Sequence, residues 1–100
     1  MTHEELIQYS TEVDVLGTML IKESISKALL RNVIAKDFKF AQNREIYSYL
    51  RDMSDRRGKI EIKTILSSNI KRNKHILNLM NDCLTTNLDV KCKWLTEDKQ

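Results

Sequence analysis

One hundred residues, 41% of them apolar and 31% charged, bound a single modest domain; a disordered chain at this charge density would be poorer in Leu, Ile and Val. The absence of proline and the presence of only two glycines, Gly17 and Gly58, remove the usual turn chemistry of hairpins and sheets and predict an all-α fold. Charge is unevenly placed: residues 1–20 carry Glu4, Glu5, Glu12 and Asp14 with no Lys or Arg, a net −4, whereas residues 56–74 sum to +6, which suits a head-to-tail contact or an anionic partner.

Residues 1–9 read as an N-terminal tail. Ser10 is the candidate N-cap of a first helix running from about Thr11 to Lys22, on which Val13, Leu16, Met19 and Leu20 form an apolar stripe. Gly17 lies inside that stripe, at a cost on the order of 1 kcal/mol against alanine, so its expected use is to let another helix pack close. Ser24 can cap a second helix on Ile25, Leu29, Leu30, Val33 and Ile34. The connection Lys36-Asp37-Phe38-Lys39-Phe40 follows, with two aromatics expected to insert into the core.

A third helix is predicted from Ala41 to Arg57 on Ile46, Tyr47, Leu50 and Met53. Gly58 stands where a helix end needs a left-handed residue, and Arg56 and Arg57 complement the helix dipole. The fourth runs from about Glu61 to Ile70 and the fifth from about Lys74 to Leu84. After the polar break Thr85-Thr86-Asn87, residues 87–100 form a last helix with a frayed end. Leu88, Cys92 and Leu95 share one face of it, and Val90 and Trp94 another. A compact bundle of about six helices accounts for residues 10–86 together with this segment.

Reactive constellations are missing. Gly58-Lys59 lacks the upstream glycine, the spacing and the following Ser or Thr of a phosphate-binding loop. Cys83 and Cys92 have no zinc-ligand spacing and read as reduced thiols. His75 precedes Cys83 by about 12 Å of helical rise, too far for a dyad on one straight helix, and the carboxylates read as solvated surface charges. No catalytic residue, metal or cofactor is expected. No apolar run approaches the roughly 18 residues of a membrane span, and the acidic N-terminus is unlike a signal peptide, so a cytoplasmic location is expected.

Two features concern partners. Arg56, Arg57, Lys71, Arg72 and Lys74 could meet nucleic acid, but no aromatic lies between Tyr49 and Trp94 to stack bases and no recognition helix is visible, which favours a solvated or protein-facing patch. Trp94 is the sole tryptophan; an interface role and a core role both fit its position.

Four motifs in order resemble the N-terminal domain of DnaB-type replicative helicases over about residues 10–95. They are Glu12-Val13-Asp14-Val15-Leu16-Gly17-Thr18-Met19-Leu20, Asp37-Phe38-Lys39-Phe40, Arg44-Glu45-Ile46-Tyr47, and the run from Gly58-Lys59-Ile60-Glu61 to Thr64-Ile65-Leu66. The sequence departs from the family in three places. The usual proline before the first helix is missing, Asn43 stands where histidine is frequent, and the proline of the glycine turn is deleted, as in a divergent phage or plasmid member.

The resemblance implies a bundle followed by a helical hairpin and a linker to an ATPase. Asn87 to Leu95 resembles the hairpin's first helix, after which the chain stops with no motor. The implied role is a non-catalytic domain that self-associates as a dimer or hexameric ring and contacts primase or a helicase loader. It makes Leu16, Gly17, Phe38, Ile46, Tyr47, Leu50 and Gly58 scaffold residues, and Cys83, Leu88, Lys91, Trp94 and Leu95 the partner surface. Two alternatives stand beside it: a free-standing replication factor that modulates a host helicase or primase, and a small helical DNA-binding protein.

Overall fold

Thr2 and Glu5 form a reciprocal cap: the Glu5 N–H donates to the Thr2 hydroxyl at 3.1 Å, and the Thr2 N–H to the Glu5 carboxylate at 3.4 Å. This box starts helix α1 (His3–Lys22) well before Ser10, so most of the expected N-terminal tail is helical. The structure, a computed structural model, describes residues 1–25, 28, 31–68 and 72–97. Among them are α1, a 3-10 turn at Ala35–Asp37, α2 (Ala41–Arg57), α3 (Ile62–Ser68), α4 (Asn73–Asp82) and α5 (Leu88–Thr96), and no strand. The chain is all-α, as the missing turn residues imply.

Helix α1 is the central element and packs chiefly on α4 and α5. Its Val15, Leu16, Met19 and Leu20 are fully buried. A Cβ on Gly17 would overlap the Leu79 carbonyl oxygen and the Cys83 side chain, so the glycine is what lets α4 approach α1 closely. Burial of Ile76 and Leu79 on α4 and of Cys92 and Leu95 on α5 completes this side of the core. The α1 chain exit is left-handed at Glu23, and the Ser24 N–H donates to the Met19 carbonyl.

Residues 26, 27, 29 and 30 of the second predicted helix, Leu29 and Leu30 among them, lie outside the described residues. Ile25, Ala28 and Val33 are buried, and Ile34 is extended rather than helical. The connector from Val33 to Phe40 is held by side chains of the resemblance motifs. Asp37 accepts from the Ile34 N–H at 2.9 Å, and Arg44 donates to the Phe38 carbonyl at 3.0 Å. The Tyr47 hydroxyl donates to the Val33 carbonyl at 2.6 Å, and burial pushes its pKa up to about 12. Phe38 is fully buried and stacks on Tyr47; Phe40 stays half-buried, edge-on to Tyr9.

Helix α2 has the predicted bounds and ends on Gly58 at φ 73°, whose N–H donates to Ser54. Ile60 then drops fully into the core ahead of α3. Ile70, the predicted end of that helix, lies outside the described residues, and α4 stops at Asp82, leaving Cys83 extended and Leu84 outside the helix.

Candidate functional site

Helix α5 carries Leu88, Lys91, Trp94 and Leu95 of the expected partner residues, Cys83 lies at the end of α4, and the seating of α5 on α1 sorts them. The Asp14 carboxylate accepts from the Leu84 N–H at 2.8 Å and pairs with the Lys91 ammonium at 3.0 Å. Lys91 also donates to the Leu84 carbonyl at 3.2 Å. With Asp14 and Lys91 side chains only 13% and 10% exposed, this is a nearly desolvated pair whose hydrogen bonds are supplied by the chain between α4 and α5. The long stem of Lys91 therefore turns inward, and Leu95 is buried beside Cys92. Both belong to the interior of this fold and not to the exposed surface expected of them.

Cys83 is half-buried against Gly17; its thiol donates to the Met80 carbonyl, and burial, with Asp14 nearby, raises its pKa. Leu88 is half-buried against the core. Of the five, Trp94 alone is exposed, at 51%, and Val90 on the same helix is exposed with it. Trp94 and Ile7 line a groove of about 420 Å³ together with Glu4, Gln8, Thr11 and Glu97. Large apolar side chains standing in the open beside carboxylates are the composition of a contact surface, with aromatic anchors and a polar rim. The opening turns of α1 contribute to this groove, and the sequence reading missed them because it took residues 1–9 as a tail. The Thr2-x-x-Glu5 capping signature was the signal available.

The basic candidates are mostly neutralised. Arg56 pairs with Asp52, Arg57 with Glu61 and Arg72 with Glu45, and Lys74 is exposed; Lys71 lies outside the described residues. Each of these three pairs is surface-exposed and adds little stability, yet each lowers the local positive excess.

One buried polar cluster has no counterpart in the sequence reading, which took the carboxylates as solvated. Glu12 is fully buried and accepts from Gln8 at 2.7 Å, from the Lys39 N–H at 2.8 Å, from the Phe40 N–H at 3.4 Å and from the Asn43 amide at 3.0 Å. Because the Asn43 amide nitrogen donates to Glu12, its carbonyl oxygen accepts from His75 Nε2 at 2.8 Å. Desolvation lowers the His75 pKa. The cluster joins α1, the connector, α2 and α4, and its atoms are occupied with one another, which makes it a structural hub. The His75 ring is thus engaged with Asn43 on α2. Among the described residues no group of three or more His, Cys, Asp or Glu side chains could hold a metal ion, and no helix is long and apolar enough to cross a membrane.

The sequence matches the family model described as DnaB-like helicase N terminal domain over residues 4–95. The match starts within the capped first turns of α1 and ends at Leu95, so it takes in both walls of the groove. No curated protein and no solved structure gives a significant match. The motifs that carry the resemblance fall on the elements that build the fold: the α1 stripe, the fastened connector, the start of α2 and the glycine turn. The chain belongs to the DnaB-like helicase N-terminal domain family.

Proposed function

We propose that this domain is a non-catalytic protein-interaction and oligomerisation module of a replicative DNA helicase, which self-associates and offers a docking surface to primase or a helicase loader during DNA replication. The observation that carries this reading is the half-exposed Trp94 beside Ile7, an apolar surface flanked by the carboxylates of Glu4 and Glu97. Family membership supports the helicase context. The partner surface, redrawn on this basis, is Trp94, Val90 and Ile7, while Cys83 and Leu88 are half-buried against the core and Lys91 and Leu95 fix α5 in place.

Light scattering across a concentration range, alone and with a cognate primase or helicase, tests it. The expected result is mass beyond a monomer or a stable primase complex, lost or weakened at least tenfold in Trp94→Ala, since interface tryptophans commonly contribute about 2 kcal/mol or more. A monomer that binds only an intact helicase would instead identify a free-standing modulator. Pairing of Arg56, Arg57 and Arg72 with carboxylates weighs against direct DNA binding; steeply salt-dependent duplex binding would revive it.

A further inference from the structure

Resting on the self-association reading, we propose that the Ile7–Trp94 groove of one copy receives the outward face of α4, Lys74 and Leu77, of a second copy. The groove has apolar walls, Ile7 and Trp94, each about half exposed at 52% and 51%, and Glu4 and Glu97 also line it. That combination fits an apolar side chain accompanied by a cation. The same chain presents one. Leu77 is 51% exposed, and Lys74, also exposed, lies one turn before it on the same face of α4. The inner residues Ile76 and Leu79 are committed to the core, so Leu77 points outward, three residues past the end of the strongly basic stretch. Complementarity is thus double: Leu77 between Ile7 and Trp94 removes three large apolar side chains from water, while Lys74 comes to the carboxylates of Glu4 and Glu97.

Groove and ridge are different surfaces, so the contact is heterologous. Each copy offers one of each, and association continues past a dimer until a ring closes or a filament extends.

Two variants at exposed positions separate the halves. Leu77→Asp keeps the groove and spoils the ridge; Trp94→Ala keeps the ridge and spoils the groove. Because Trp94 is the only tryptophan, indole emission in a mixture of the two comes solely from the groove of the Leu77→Asp chain. Circular dichroism first establishes that both variants retain the helical fold. Each alone should stay monomeric where the unaltered chain gains mass. Mixed, they should form a dimer that goes no further, with Trp94 emission shifted to the blue and the shift lost on raising salt from about 0.05 M to about 0.5 M. If the mixture forms no dimer, or the unaltered chain gains mass with Trp94 emission unchanged, these surfaces are not the ones that meet, and self-association through other surfaces stands. If the unaltered chain stays monomeric at every concentration, self-association itself fails and this pairing with it.

Discussion

From His3 to Ser10 the side chains of α1 are largely exposed, whereas from Thr11 to Leu20 nearly all are buried, yet the two halves form one unbroken helix. The first half rests on local chemistry: the Thr2–Glu5 box satisfies amides of the first turn, and Glu4 and Glu5 lie at the positive end of the helix dipole. The second half rests on contacts with the rest of the chain, through the Glu12 hub, the Gly17 approach and the Asp14–Lys91 pair. Helix formation and helix placement are therefore separable here. The exposed half is left available for contacts outside the domain, and the buried half supplies the rigid base it stands on.

Substitutions should divide along the same line. The largest loss is expected for Glu12→Ala, which leaves the buried Asn43 amide and the part-buried Lys39 N–H without their acceptor. A destabilisation of about 3–5 kcal/mol is expected from loss of a buried charged acceptor, read as a drop in the urea midpoint. A value below about 1 kcal/mol would mean that water readily replaces the carboxylate. Lys91→Ala strands the Asp14 carboxylate and should cost about 3 kcal/mol, with α5 losing hydrogen-exchange protection before the rest. Gly17→Ala should cost about 1–3 kcal/mol by overpacking against Leu79 and Cys83; a stabilised variant would contradict the close approach.

In the exposed half, Thr2→Ala should cost about 1 kcal/mol or less, visible as faster exchange confined to the first turns. The smallest effect concerns pH. Burial holds the His75 pKa below its ordinary 6.5, so the unfolded chain takes up the proton first as pH falls. Its contribution is complete above about pH 6.5 and is lost as pH drops from there to the lower folded value. His75→Gln should flatten that part of the stability profile; an unchanged slope would place its origin elsewhere.

Much of the fold is legible because its signals are local. The α2 stripe and the Gly58 stop give that helix its full extent, and the Gly17 anomaly announces a close helix neighbour. Periodicity fails where sidedness depends on a distant group. Lys91 carries a charge and reads as surface, but Asp14 and the Leu84 backbone draw it inward. Glu12 likewise reads as solvated until α1, the connector and α2 converge on it. The start of α1 was missed for a different reason: Leu6, Ile7 and Tyr9 make no core stripe, and only the cap at Thr2 shows that a helix begins. At the candidate site Trp94 was legible as a residue of interest, while its neighbour Ile7 was visible only once α1 extended to meet it.

The Glu12 hub also bears on how many ways the chain can pack. Sliding α1 by one residue against its neighbours would turn that carboxylate by about 100° around the helix axis. Its place among four donors would be lost, and a charge would face apolar side chains. An all-Leu stripe would tolerate such a slip at modest cost; a single acid among donors from three segments penalises every register except one. The hub thus acts as an alignment pin, which fixes the rotational setting of α1 and with it the direction in which Ile7 is presented beside Trp94.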